Sequence, residues 1–434
     1  MQIWKWGISS APVFSGLIFG VQQVTQSSSE STTSLQSDLS GPPQQVNSSH
    51  SDDSTLEQQD SLEESRLQDD ERSSHINPVS SKLDHYTLKL VTPCNYGTGW
   101  ILDYQIPQKD HYPTVWYIAT AAHVVNRWKF DGKKNNNYDQ ELPKSCKHVQ
   151  QKNFELSIVK VNDKDKSKPH SEIVSQAKIK KPKLFWTALN LFNKESKFDI
   201  QENNFKDFAV IEVTFDSEEI AKKMTNNFAD KYKEGSFEDA IDVFGSPLDP
   251  NKTKENTSRF YSLGYPDKRT ESIFFKKDNW SWKNKRGDVL SNDQKNKYGI
   301  SPRDKVRGFL SAKHFQEDKY KFNWGGKKYN EFGHFYYTQG TKLGAGASGS
   351  MVVDENGNLL GVRAMEGEYS LFTPLRAEET ILGEIKTPKY DLILGAEKQN
   401  SSYKQQVEKH LLTSGKRTWL SSVKNWTNTK QVSK

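Results

Sequence analysis

Gly344-Ala345-Gly346-Ala347-Ser348-Gly349-Ser350 sets a serine among small residues, just ahead of the apolar run Met351-Val352-Val353. Small neighbours let the backbone turn sharply, so the segment predicts a serine presented on a turn before a strand. Serine is a weak nucleophile until a base takes its proton, and histidine serves as that base when a carboxylate fixes its tautomer. Both partners stand upstream. Tyr117-Ile118-Ala119-Thr120-Ala121-Ala122-His123 places a histidine after an apolar run, and Lys206-Asp207-Phe208-Ala209-Val210-Ile211-Glu212-Val213 places an aspartate where a strand opens. The candidate catalytic residues are therefore Ser348 as nucleophile, His123 as general base and then acid, and Asp207 as orienter. The amides of Gly346 and Ser348 are the candidate oxyanion hole, each such donor contributing about 3 kcal/mol where negative charge develops.

Each segment alone has a plainer reading: a packed or surface histidine, a charge at a strand edge, a simple turn. Their joint occurrence, each beside an expected strand and in the order His, Asp, Ser, carries the catalytic one. Around them, alternating apolar and polar residues predict a strand at Leu83–Val91, and further strands are expected at Gly97–Asp103, Val115–Thr120, Phe154–Val161 and Asp207–Thr214. Short strands follow at Phe260–Tyr265 and His334–Thr338, and Asn356-Gly357 marks a hairpin turn after Met351. A short helix is expected within Glu218–Asp230, and Lys133-Lys134-Asn135-Asn136-Asn137 reads as a surface loop.

Charge is divided unevenly. Residues 26–81 carry eleven acidic side chains against Arg66 and Arg72, whereas the whole chain is +6, so a basic folded part follows an acidic leader. That Ser- and Gln-rich leader cannot bury enough apolar area to offset chain entropy, and residues 26–82 are expected to be a disordered linker. Only 33% of the chain is apolar, a figure that this leader dilutes. Residues 1–25, with Lys5 ahead of a short, interrupted apolar run, read as a signal peptide or N-terminal anchor. Membrane contact is expected only there, and export to the cell surface or the medium follows. No cysteine lies beside that run, so acylation of a cysteine just after it is not open. Cys94 and Cys146 allow at most one bridge, and whether they pair is not legible. With no Cys-x-x-Cys, no His-Glu-x-x-His and ten scattered histidines, neither metal nor cofactor is called for.

Thr120-Ala121-Ala122-His123 is similar to the Thr-Ala-Ala-His signature of trypsin-type serine proteases, Gly346-Ala347-Ser348-Gly349-Ser350 to their Gly-Asp-Ser-Gly-Gly, and Asp207-Phe208-Ala209-Val210 to the segment bearing their aspartate. With Gly97-Thr98-Gly99-Trp100, the acidic leader and Tyr390-Asp391-Leu392-Ile393, the chain resembles the mycoplasma family of surface peptidases that includes immunoglobulin-cleaving proteases. The resemblance covers about residues 83–398. It implies an all-β fold of two six-stranded, chymotrypsin-like β-barrels with long inserted loops, the first over about 83–230 and the second over about 231–398; beyond it, residues 399–434 read from their own sequence as a helical, basic tail. It also implies a serine endopeptidase acting on a protein substrate, with a host immunoglobulin as a candidate and a separate antibody-capturing protein as a candidate partner. Ala347 and Ser350 depart from the trypsin pattern; the first stands where those enzymes use an aspartate to hold a freed N-terminus.

Two decoys share the serine segment. Gly344-x-Gly346-x-x-Gly349 has dinucleotide-binding spacing, but a hairpin rather than a helix is expected after it. The α/β-hydrolase elbow needs glycine where Ser350 stands. The basic run Lys178–Lys183 beside Phe185 and Trp186 reads as a solvated loop rather than a nucleic-acid surface. The rival function is a surface-binding or adhesin module on a protease fold that has lost catalysis.

Overall fold

A computed structural model of the chain describes residues 79, 81–109, 111–131, 138–144, 146–147, 154–161, 173–250, 260–265, 308–318, 321–339, 345–354, 356–366 and 369–427. The expected N-terminal signal, nearly all of the acidic linker and the Lys133–Asn137 loop lie outside the described residues.

The first half supplies β1 (Thr87–Val91), β2 (Tyr96–Tyr104), β3 (Val115–Thr120), β4 (Leu156–Val161), β5 (Ile173–Ile179), β6 (Lys183–Leu189) and β7 (Asn204–Thr214). The second supplies β8 (Phe260–Ser262), β9 (Gly308–Ser311), β10 (Phe322–Trp324), β11 (Lys327–Glu331), β12 (His334–Gln339), β13 (Met351–Asp354), β14 (Leu359–Glu366) and β15 (Tyr369–Pro374). Nine of them form one sheet, ordered β10-β11-β7-β3-β2-β1-β4-β5 with β6 also on β7, and six form another, ordered β8-β13-β14-β15-β12-β9. The molecule is thus mostly β with few helices. Among the described residues no ladder joins the ends of either sheet, so the two closed six-stranded barrels expected from the sequence are not found as closed ladders. β7 supplies part of the reason. Its eleven residues outrun β3, and its first two pair in parallel with β11, which draws a hairpin from beyond residue 230 into the first sheet.

Strands β3 and β7 are buried along nearly their whole length instead of alternating. A sheet covered on both faces produces that pattern, and residues 403–426 supply one of the covers. The tail expected from 399 onward is helical at Tyr403–His410, and Tyr403, Trp419, Leu420 and Trp426 lie in the main core. Trp419 stacks on Tyr104 with ring centroids 6.1 Å apart, while Tyr403 packs on Tyr117 and Phe185. The buried Asp103 ties this layer down: its carboxylate accepts from the Leu420 amide at 3.0 Å and from the Tyr403 hydroxyl at 2.9 Å. Burial pushes the Asp103 carboxyl up to about 7, against the pull of the Thr418, Leu420, Tyr403 and Tyr104 donors around it. Each fully buried aromatic in this layer contributes about 1.5–3 kcal/mol.

Three local expectations change. Residues 81–86 are helical, not extended, and put Leu83 and Tyr86, three apart, into the core. The helix expected within 218–230 is two helices, Glu218–Thr225 and Phe228–Lys231, because Asn226 and Asn227 both adopt the left-handed conformation. Phe185 and Trp186 are fully buried, so neither flanks the Lys178–Lys183 run on the surface. Cys94 and Cys146 form a disulfide across 52 residues, which by chain entropy alone is worth about 4 kcal/mol. No helix among the described residues is long and apolar enough to cross a membrane.

Candidate active site

After β3 the chain leaves the sheet at Ala121 and makes a single helical turn, Ala122–Val125, that carries His123. Ala121, Ala122, Val124 and Val125 are buried, so the turn is seated on its apolar residues while His123 stays about one-third exposed. Asn95, in the turn between β1 and β2, donates from Nδ2 to the His123 carbonyl at 3.3 Å and the Val124 carbonyl at 3.1 Å. Those are C-terminal helix carbonyls that the short turn leaves without partners of its own. The disulfide at the neighbouring Cys94 holds the same loop, and the Cys146 amide donates to the Arg127 carbonyl at 3.0 Å.

Asp207 sits on β7 where that strand changes partner. Pairing with β3 stops at Thr120↔Ala209, and pairing with β11 begins at Glu331↔Phe205. Opposite the interval between them β3 has already turned into the His123 helix. Asp207 is buried there, and both its oxygens go to His123: Oδ1 accepts the backbone N–H at 3.0 Å and Oδ2 lies 2.6 Å from Nδ1. A carboxylate can only accept, so Nδ1 carries the proton and Nε2 keeps its lone pair. Burial pulls the His123 pKa down, but the charge and hydrogen bond of Asp207, with a further contribution from Glu331, outweigh it and hold the imidazole above its ordinary 6.5.

Ser348 lies partly exposed in a turn between a left-handed Gly346 and a left-handed Gly349, with φ of +99° and +88°. Thr98 of β2 clasps this turn. Its amide donates to the Ser348 carbonyl at 2.9 Å and its hydroxyl to the Gly346 carbonyl at 2.9 Å. A side chain at Gly349 would collide with the Thr98 carbonyl and the Thr120 hydroxyl, so close approach demands glycine as much as φ does. The Gly349 amide donates to Arg363 and the Ser350 amide to Ala347, whereas the Gly346 and Ser348 amides donate to no other described residue. Ser350, the departure from the trypsin pattern, folds its hydroxyl back onto the Ala347 carbonyl at 2.6 Å.

His123 and Asp207 are thus in direct contact. Ser348 makes no hydrogen bond to His123 among the described residues; the two segments are joined through Thr98, whose carbonyl accepts from the Thr120 hydroxyl at 2.7 Å, three residues before His123. Residues at 97–99 were quoted above without a role, although glycines on both sides of Thr98 signal a close backbone approach. Asn95, Lys206 and Glu331 also touch the site. Lys206 stands just ahead of the strand expected at Asp207–Thr214, and nothing local marks either its burial or Glu331.

The mycoplasma immunoglobulin protease family matches residues 53–364, nearly three-quarters of the sequence, and the chain belongs to that family. All three candidate catalytic residues fall within the match. A curated relative, a membrane-associated lipoprotein of Ureaplasma parvum serovar 3, is 25% identical over 405 residues, 72% of this chain and 48% of that protein. The chain therefore spans about half the length of the relative it matches. Among solved structures it is similar to that of the mycoplasma MIB and MIP proteins, at 19% identity and a TM-score of 0.42 over 75% of this chain and 60% of that one. It is also similar to the Rv3671c protease from M. tuberculosis in its active form, at 12% identity and a TM-score of 0.28 over 69% of this chain and 79% of that one.

Proposed function

We propose that this protein is a surface-displayed serine endopeptidase that cleaves protein substrates through an acyl-enzyme, with an immunoglobulin as the candidate substrate. The observation that carries the reading is the double engagement of His123 by Asp207, at 2.6 Å to the ring and 3.0 Å to the backbone. It fixes ring orientation and tautomer together, which is what a general base needs. In this reading Ser348 attacks the scissile carbonyl while His123 Nε2 takes its proton. The Gly346 and Ser348 amides, not engaged with other described residues, stabilise the oxyanion. His123 then returns the proton to the leaving amine, and water repeats the sequence to release the acyl group. A nucleophile–base hydrogen bond that is absent in the free enzyme and closes with substrate is common.

The division into two barrels, about 83–230 and 231–398, is part of the proposal: His123 and Asp207 come from the first sheet, and Ser348 enters the second. Family membership supports the peptidase class and an immunoglobulin substrate. A separate antibody-capturing protein is the proposed partner, and the Ureaplasma relative's description supports display at the membrane surface. Within this sequence Cys94 and Cys146 bridge each other, so neither serves as a lipid attachment point.

Labelling of the full-length chain by a fluorophosphonate probe tests the chemistry without knowledge of the substrate. Stoichiometric labelling that vanishes in Ser348→Ala and His123→Ala, both folded by circular dichroism, is the expected result. A well-folded wild type that never labels and cuts no immunoglobulin would instead make the protein a binding module on a protease fold.

A further inference from the structure

Behind Asp207 lies a charge pair that the triad chemistry does not use. Lys206 is fully buried, Glu331 is 6% exposed, and Lys206 Nζ stands 2.9 Å from Glu331 Oε1. Nζ also donates to the carbonyls of Phe332 at 2.8 Å and His334 at 3.3 Å, beneath the rings of Phe332, Phe335 and Tyr390. A buried lysine does not need a carboxylate in this fold. Lys160, equally enclosed, is satisfied by the carbonyls of Asp84, His85 and Thr87. The place of Glu331 is therefore not explained by Lys206 alone.

Asp207 explains it. Strand β7 has β11 on one edge as far as Phe205 and β3 on the same edge from Ala209, so among the described residues the edge at Asp207 has no strand beside it. Glu331 is the last β11 residue in register with β7, opposite Phe205, and its carboxylate reaches Lys206, so the ion pair spans the two strands where that interval begins, next to Asp207. His334 binds Thr387 at 2.8 Å through Nδ1 and is kept neutral, its pKa pushed down to about 3 by burial and by Lys206. The Tyr390 hydroxyl donates to the Pro374 carbonyl at 3.0 Å. Burial pushes the Glu331 carboxyl up to about 7 against the pull of Lys206, and its charge is felt at His123.

We propose that the buried Lys206–Glu331 pair is a positioning element of the site: it clamps β11 to β7 where the unpaired interval begins and so fixes the backbone that carries Asp207. Asp207 then meets His123 in a single geometry. The proposal rests on the reading of His123 and Asp207 as the catalytic pair, and neither Lys206 nor Glu331 touches substrate in it.

The test compares full-length wild type with Glu331→Gln and with the double variant Lys206→Met/Glu331→Leu, in which no buried charge is stranded. Two quantities are read: the pH profile of fluorophosphonate labelling, and the NMR titration of the His123 imidazole, assigned with His123→Gln. Both variants are expected to label about 10- to 100-fold more slowly, the loss that follows displacement of a catalytic group by up to about an ångström, and to titrate His123 at lower pH than wild type. A folded double variant with wild-type labelling and a wild-type His123 midpoint would make the pair purely structural and overturn the proposal. Should both variants fail to fold, Glu331→Asp keeps the charge, shortens the reach of the carboxylate between the two strands and decides the point by the same two measurements. A wild type that never labels, but whose His123 midpoint falls in the variants, would remove the protease reading and leave the positioning role standing.

Discussion

Around His123 and Asp207 the restraints are side chains: Asn95 on the helix carbonyls, Asp207 on both the amide and the ring of His123, and Lys206–Glu331 behind Asp207. Around Ser348 they run to the backbone, with the Thr98 amide and hydroxyl on two turn carbonyls and two glycines in left-handed conformations. The difference teaches where each region is vulnerable. The His–Asp side is broken by taking polar atoms away, because each removal strands a buried partner at about 1–3 kcal/mol. The serine side is broken by adding atoms, because its carbonyls and glycines leave no room for them.

Asp207→Asn is the deepest cut on the first side. It keeps the size of the side chain but abolishes the charge and permits the wrong tautomer, so labelling of Ser348 is expected to fall by about 10³- to 10⁴-fold with the fold intact. The pH profile sharpens the same point. Wild-type labelling needs a neutral imidazole, and because His123 is held above its ordinary 6.5, labelling should rise with pH through a midpoint above that value. Without the Asp207 charge the midpoint moves down, toward lower pH; a profile that does not move would show that Asp207 does not act on the imidazole.

Gly349→Ala breaks the other side by addition. A methyl group meets the Thr98 carbonyl and the Thr120 hydroxyl, in a backbone conformation at φ +88° that already disfavours it. The expected result is about a 100-fold loss of labelling with about 1–3 kcal/mol of destabilisation by urea unfolding. Gly357, at φ +83° with open space around it, is the control: Gly357→Ala should lose only about 1 kcal/mol and no labelling. Equal effects at the two glycines would mean that the crowding at Thr98 is not what restricts the serine turn.

Asn95→Ala gives the smallest effect. Two carbonyls of the His123 helix lose a donor, yet the disulfide at Cys94 and the Asp207 contacts remain. About 1 kcal/mol of stability and less than tenfold of labelling rate should be lost, measured by thermal unfolding and probe kinetics. A loss as large as that of Asp207→Asn would place the principal restraint on His123 in the β1–β2 turn instead.

The legible part of the molecule was local. Short apolar and aromatic runs marked β3, β4, β7 and β12 to within a few residues, and Asn356-Gly357 marked the β13–β14 turn, with Gly357 in the left-handed region it favours. Illegible parts depended on distant cover. Residues 83–86 looked extended because Leu83 and Tyr86 are apolar either way, and only the core they enter decides for a helix. Residues 403–426 read as part of a helical, basic tail, and the helix at Tyr403–His410 is there, but only the core entered by Tyr403, Trp419 and Trp426 decides where they lie.

By itself the sequence determined the chemical types, their order along the chain and the small residues around Ser348, since these are set by side-chain chemistry and short-range backbone sterics. Tertiary structure alone decided that Asp207 faces both His123 nitrogens, backbone and Nδ1, that Thr98 ties the serine turn to the strand beside His123, that Cys94 meets Cys146, and that Glu331 arrives behind Asp207. The physical reason is that a strand's partner, and the point at which one partner gives way to another, depends on the path of the whole sheet. The interval on β7 between β11 and β3 exists only when all three strands are in register, and no window of sequence contains them together.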